Sequence, residues 1–152
     1  VVEGGSERHH SVWNGLQALS PDAEIVAVHD GGRPLITSAQ IARCVAAAGG
    51  LGAVACARPV TETLKRADAK GRVTESIDRS GVWIMETPQV FRLGLLLRAY
   101  EHVLNTGLLV TDEVSAGQSL GIDVHLVENP SPNLKITFPA DLQLAGRLVS
   151  LE

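Results

Sequence analysis

The chain has 152 residues, 45% of them hydrophobic and 20% charged, with a net charge of −4 at pH 7. This composition suits one globular domain with its own core. The acidic excess and the 3% aromatic content argue against a nucleic-acid surface, which needs basic patches and stacking platforms. The apolar stretch between Arg43 and Arg58 is too short to span a bilayer and is broken by three glycines, so neither a membrane partner nor a secretory leader is expected.

The sequence opens on Val1-Val2 with no methionine, which reads as the middle of a protein. Gly4-Gly5-Ser6 then leads into a helix with Val12, Leu16 and Leu19 on one face. AEIVAVHD (23–30) is a short buried strand ending in the turn HDGGRP. Residues 36–48 have helical spacing, with Thr37 or Ser38 as cap and Gly49-Gly50 as stop. GAVACARPV (52–60) is a second buried strand. Strand, helix and strand together predict a βαβ unit, hence an α/β fold with a mostly parallel sheet flanked by helices. Cys44 and Cys56, far from any C-x-x-C spacing, read as reduced, buried thiols of a cytoplasmic protein.

From Thr61 to Arg79 the sequence turns polar and alternating, with Ala69-Lys70-Gly71 in the middle. This predicts a two-stranded arm over 61–80, too marginal to stand alone and suited to packing against a second subunit. METPQVF (85–91) returns to apolar character. A helix over 93–107 stops at Gly107, and a shorter one over 111–121 is opened by Thr111 or Asp112. Strands are expected at 122–128 and at LKIT (134–137), and a last helix at 139–152 with proline in its first turn. Residues 1–152 are read as one domain plus the arm.

Three groups of residues carry possible chemistry. In V-H-D-G-G-R-P, Asp30 ends a buried strand where α/β sheets place their ligand crevice. Its carboxylate suits Mg²⁺ shared with phosphate oxygens. Gly31 and Gly32 permit close backbone approach, and Arg33 can grip a phosphate; the alternative is an ordinary Asp-Gly turn. In G-G-S-E-R-x-x-S-V, Ser6, Arg8 and Ser11 surround a helix N-terminus, an anion site or a plain cap with Ser6 as N-cap. The third group is basic: Lys65, Arg66, Arg79 and Lys135. Lys135 lies in an apolar segment, where it either snorkels or meets an anion. Thr63, Thr87 and Thr111 stand at element ends facing the crevice. The pair His9-His10 lacks a third ligand and reads as a solvated helix face, and T-D-E (111–113) as a helix start.

GGSERxxSVxxGL, VxVHDGGRPL, TLKRAD, DRSGVWxMETPQVF, TDEVSAG and NLKITFPADLQLA occur in this order. Together they resemble the 2-C-methyl-D-erythritol 4-phosphate cytidylyltransferase family, from Val1 to about Val149. The resemblance implies a Rossmann-like nucleotidyltransferase fold, a homodimer joined by the arm, and Mg²⁺-dependent transfer from CTP to methylerythritol phosphate. By motif match it places Gly5, Ser6, Arg8, Ser11 and Gly31 around CTP and makes Asp30 the metal ligand. Arg33, Thr63, Thr87, Thr111 and Lys135 match residues around the sugar phosphate. Arg79 matches an arm arginine reaching the neighbouring subunit's site, and Arg79 with Lys135 matches the substrate-positioning pair.

The sequence departs from the family twice. The family's opening strand and glycine-rich loop, A-A-G-x-G-x-R followed by P-K, have no counterpart here, so these residues alone are expected to be inactive. Pro132 stands where some members carry a further metal-contacting aspartate. Another polyol-phosphate cytidylyltransferase, such as one acting on ribitol 5-phosphate, or a non-catalytic nucleotide-binding module are the alternative expectations.

Overall fold

A computed structural model of the chain describes residues 1–149. In order its elements are α1 (Arg8–Gln17), β1 (Ile25–Val28), α2 (Ser38–Leu51), β2 (Ala53–Pro59), β3 (Leu64–Ala67) and β4 (Val73–Ile77). There follow β5 (Trp83–Arg92), α3 (Leu93–Thr106), α4 (Glu113–Ser119), β6 (His125–Glu128) and α5 (Pro139–Val149). Among the described residues no helix is long and apolar enough to cross a membrane.

A four-stranded sheet runs β1-β5-β2-β6, with β2 and β6 parallel and β5 antiparallel to both its neighbours. Strands β1, β2 and β6 therefore share one direction, as a Rossmann-like α/β fold requires. The expected strand–helix–strand unit is β1-α2-β2, whose two strands run parallel with the antiparallel β5 in the slot between them. It is the longest strand, ten residues with an unbroken buried stretch from Glu86 to Phe91, so burial on both faces puts it in the centre.

Side-chain alternation along the strands divides the core. Val26, Val28, Ala53 and Phe91 face α1, α3 and α4 and pack with Leu16, Leu96, Ala99, Tyr100 and Val103. Ile25, Val54, Cys56, Val90 and Val127 face α2 and pack on Cys44 and Ala48. The two cysteines are free and fully buried, as expected.

The helix ends decide between the expected caps and shift one stop. Thr37 caps α2 by accepting from the Gln40 N–H at 3.2 Å. The helix runs through Gly49-Gly50 to Leu51 and stops at Gly52, which takes φ +85° and donates its N–H to the Ala48 carbonyl. Asp112, not Thr111, caps α4. At α1 the N-cap is Glu7, while the Ser6 hydroxyl pairs with His10 Nδ1 at 3.0 Å. Residues 150–152 of the last expected helix lie outside the described residues.

LKIT is not a strand. Enclosed between Pro132 and Pro139, it makes one backbone bond to the 30–33 turn, Ile136 N–H to the Gly32 carbonyl at 2.7 Å, and no ladder. The expected arm is present as a separate antiparallel pair, β3 with β4, exposed along most of its length. Its turn is held by Asp68 Oδ1, which accepts from the Lys70 and Arg72 N–H groups.

Candidate functional site

The β2–β5 register jumps beside the end of β1. Ala55 pairs with Gln89 and Ala57 with Met85, so Glu86, Thr87 and Pro88 stand opposite Cys56 alone. Proline has no N–H for the ladder, and a bulge is where an interior strand can accommodate it. The bulge aims Thr87 at the carboxyl end of β1, where the turn His29–Arg33 begins, and Glu86 at Asn129 and Asn133.

Asp30 is the centre of that turn. Its carboxylate is 15% exposed and meets three cations: Lys135 Nζ at 2.9 Å, Arg8 at 3.4 Å and Arg33 Nε at 3.5 Å. Burial pushes the Asp30 carboxyl up. The Lys135 hydrogen bond and the charges of Lys135, Arg8 and Arg33 outweigh it, so the group is held below its ordinary value. The Asp30 N–H donates to Thr87 Oγ1 at 3.0 Å, fixing the turn on the bulge. Gly32 is where the backbone is approached closely: a Cβ there would lie 3.3 Å from the Ile136 carbonyl. Gly31, the glycine matched to the nucleotide side, faces open space.

Each cation is itself held. Arg33 donates to the Asn133 carbonyl at 2.8 Å. Arg8 forks onto the fully buried Glu113 at 2.7 and 3.1 Å, and the Tyr100 hydroxyl donates to the same carboxylate at 2.9 Å. The Glu113 hydrogen bond raises the Arg8 pKa against the opposing effect of burial, and burial with the Glu113 charge raises that of Tyr100. Lys135 is half exposed, so it both reaches an anion and keeps contact with water.

Arg8, Asp30, Arg33, Thr87, Thr111 and Lys135 thus line one cavity of about 200 Å³, with Glu86, Gln89 and Asp112 among its other walls. Six residues singled out from the sequence converge there. Gly5, Ser6 and Ser11 do not line it. They organise the start of α1: the Gly5 N–H donates to Ser11 Oγ at 2.9 Å, and a Cβ on Gly5 would fall 2.2 Å from His10 Cβ. Thr63 and Arg79 sit exposed at the base of the arm, away from the cavity, with the Arg79 guanidinium on the Thr61 carbonyl.

Three residues of the site escaped the sequence reading. Glu86, 3% exposed, accepts from Asn129 and Asn133 at 3.0 Å each and pairs with Arg58 at 3.4 Å. It therefore ties the segment leading to Lys135 onto the bulge. Glu113 was visible only as part of a helix start, and His29 only as a letter of the V-H-D-G-G-R-P motif. A carboxylate inside an apolar run, the signal that singled out Lys135 as a cation, was available at Glu86 as well.

For Mg²⁺ the donor set is one partly buried carboxylate, Asp30, held below its ordinary value and facing a cleft. No group of three or more His, Cys, Asp or Glu among the described residues is placed to hold a metal. Asp30 would suit Mg²⁺ as a single protein ligand, since this ion commonly takes one or two carboxylates together with phosphate oxygens and water.

Residues 1–150 match the family model for IspD, 2-C-methyl-D-erythritol 4-phosphate cytidylyltransferase. A protein of that name from Caldanaerobacter subterraneus subsp. tengcongensis is 41% identical over 145 residues, 95% of this chain and 64% of the relative. One from Bacillus velezensis is 42% identical over 153 residues, covering 100% of this chain and 65% of the relative. The chain thus spans just under two thirds of the length of these relatives. The crystal structure of 2-C-methyl-D-erythritol 4-phosphate cytidylyltransferase from Thermus thermophilus superposes with a TM-score of 0.91 at 35% identity, covering 98% of this chain and 72% of that one. A family pattern sustained from end to end, carried by relatives above 40% identity, makes this chain a member of the 2-C-methyl-D-erythritol 4-phosphate cytidylyltransferase family.

Proposed function

We propose that this chain carries the metal and acceptor side of a cytidylyltransferase that moves CMP from CTP to 2-C-methyl-D-erythritol 4-phosphate in non-mevalonate isoprenoid synthesis. The observation that carries the reading is the Asp30 cluster: one ionised carboxylate ringed by Arg8, Arg33 and Lys135 at the carboxyl end of a sheet strand. In the reaction a phosphate oxygen of the acceptor attacks the α-phosphorus of CTP, the new P–O bond forms, and pyrophosphate leaves. A phosphate oxygen is already anionic and needs no general base, so positioning and charge neutralisation carry the catalysis. A site of Asp, Arg, Lys and Thr without a catalytic cysteine suits that chemistry.

Asp30 would hold Mg²⁺, which when bound neutralises charge on the triphosphate. Arg8, with Gly5, Ser6, Ser11 and Gly31 near the start of α1 and the Asp30 turn, forms the CTP side. Lys135, Arg33, Thr87 and Thr111 form the acceptor side. Thr63 and Arg79 belong to the same acceptor site through the arm, which carries them into a neighbouring subunit of a homodimer. Their exposed position outside the cavity of their own protomer supports this assignment. The protein works in the cytoplasm.

The 152 residues by themselves do not turn over CTP, because no counterpart of A-A-G-x-G-x-R is present to cradle the triphosphate. Pyrophosphate release with CTP, Mg²⁺ and methylerythritol phosphate, measured on the complete enzyme, tests the reading. Faster turnover with ribitol 5-phosphate would overturn the substrate assignment, and no turnover with any polyol phosphate would overturn the activity.

A further inference from the structure

Gln89 lies in the wall of the cavity, yet every hydrogen its side chain can donate is already committed. It stands in the middle of the sheet, opposite Val28 on one side and Ala55 on the other, and is 1% exposed. Its side-chain nitrogen donates to Asp112 Oδ2 at 3.0 Å and to the Glu86 carbonyl at 3.4 Å. Its side-chain oxygen accepts the Val114 N–H at 3.0 Å. We propose that Gln89 is a positioning residue that fixes Arg8 on the nucleotide side of the cavity by holding the start of α4, and that it is not itself a ligand of substrate.

The partners leave the amide one orientation. A backbone carbonyl only accepts and a backbone N–H only donates, so the nitrogen faces Glu86 and Asp112 and the oxygen faces Val114. The first N–H groups of a helix have no partner within it. At α4 the N-cap Asp112 takes that of Ser115 at 2.9 Å, and Gln89 takes that of Val114. Gln89 therefore holds the residues on both sides of Glu113, Asp112 by its side chain and Val114 by its backbone. Glu113, fully buried between them, is aimed at Arg8 and at the Tyr100 hydroxyl.

The bulge thus supports the site through three side chains. Glu86 holds the segment leading to Lys135. Thr87 holds the Asp30 turn, and its Oγ1 lies 2.9 Å from His29 Nδ1. Gln89 holds the helix start whose Glu113 clamps Arg8. A strand paired on both sides cannot shift without breaking its ladders, so the Arg8 guanidinium takes its place from the sheet and not from the ligand. Donors held in this way lose little freedom when an anion arrives. The role in nucleotide binding rests on the cytidylyltransferase reading; the amide arrangement does not.

The test is a donor–acceptor swap in the complete enzyme. Gln89→Glu sets a carboxylate against Asp112. Asp112→Asn sets an amide nitrogen against that of Gln89, because the amide oxygen is needed to accept from Ser115. Asparagine caps a helix about as well as aspartate, so the cap itself is spared. Each single variant should lower kcat/KM for CTP about 10–100-fold, the usual cost of losing a supporting hydrogen bond. The combined variant exchanges donor and acceptor and should recover most of that loss. In an Arg8→Met background Gln89→Glu should cost no more than about twofold, because the residue it acts through is gone. A combined variant that recovers less than half of the loss on a logarithmic scale overturns the proposal, and so does a loss that persists without Arg8. Where the variants fail to fold, the wild-type protein decides by the scalar coupling across the hydrogen bond between the Val114 amide nitrogen and the Gln89 side-chain carbonyl carbon. That coupling is expected alongside those of the helix hydrogen bonds, and its absence where those are seen overturns the proposal. If the wild-type enzyme transfers no CMP at all, the reaction assignment fails while the coupling still decides the amide arrangement.

Discussion

Glu113 is fully buried, and its carboxylate serves one cation and one phenol: Arg8 at 2.7 and 3.1 Å and the Tyr100 hydroxyl at 2.9 Å. Glu113→Gln keeps the volume, and its amide oxygen still accepts from Tyr100. The perturbation is confined to the charge and the Arg8 fork, one arm of which now faces an NH₂ group. A hydrogen bond to a charged group contributes about 1.5–3 kcal/mol net and a neutral one about 1. Two such bonds downgraded or lost cost about 1–4 kcal/mol. The Arg8 side chain is 35% exposed and can turn to water, which places the cost near ~2 kcal/mol. For a domain of this size that lowers Tm by about 4–8 °C. Glu113→Ala leaves the buried Tyr100 hydroxyl without its acceptor and opens a void, for about 3–5 kcal/mol. Urea and thermal unfolding of Glu113→Gln, Arg8→Met and the double variant give the coupling directly, expected at about 1–2 kcal/mol. A loss below about 0.5 kcal/mol in Glu113→Gln, or a coupling near zero, would show that Arg8 is not held by this carboxylate.

Asp30→Ala in the complete enzyme should remove most turnover, and activity unchanged across a Mg²⁺ titration would refute the metal assignment. The Asp30 carboxyl is held below its ordinary value, so the native state binds fewer protons there than the unfolded chain. That contribution to stability is complete above about pH 4 and is lost as pH falls through the depressed value; Asp30→Asn should flatten this acid limb in a stability-against-pH curve. Mixing an Arg79→Ala chain with an Asp30→Ala chain should restore part of the activity if Arg79 acts across a dimer, whereas heterodimers without recovery would place it in its own protomer's site. The 152 residues alone should bind CTP poorly in a calorimetric titration and tend to associate, since β1 and β6 each pair on one side only. Micromolar binding by a monodisperse sample would count against the importance of the glycine-rich loop.

What was legible in the sequence was local. The strand ending in V-H-D-G-G-R-P, the polar arm and the helix stopping at Gly107 follow from patterns within a few residues of one another, and each stands where expected. Sheet order was not legible, because the slot between β1 and β2 is filled by a strand that arrives only after the arm. LKIT failed for a related reason: its apolar pattern is satisfied by docking on Gly32, and a pattern does not say what it will dock on. At the site, Asp30, Arg33 and Lys135 could be read as charges in unusual places. Their supports could not. Glu86, Glu113 and His29 act through partners distant in sequence, as far as the 105 residues between Arg8 and Glu113. They do so only because the β5 bulge, the start of α4 and the Asp30 turn meet in space. Neither the bulge nor that meeting is written in any one segment.

The three cations around Asp30 are not equivalent, and the difference bears on the proposed reaction. Arg33 is 12% exposed and fixed at two carbonyls as well as at Asp30, and Arg8 is clamped by Glu113. Lys135 is 49% exposed and meets a single carboxylate oxygen through one flexible stem. In the proposed reaction a polyphosphate with its cation would compete for Asp30 and for the positive charges at once. The two guanidiniums can meet it without moving, because their geometry is held by groups other than the ligand, and such preorganised donors lose little freedom on binding. On the proposed reaction the ammonium is the cation that would leave Asp30, which would free a carboxylate oxygen to hold Mg²⁺ and bring the Lys135 charge to a phosphate. Such an exchange would keep Asp30 and the three cations paired, which a partly desolvated cluster of this kind favours because an unpaired charge there is costly.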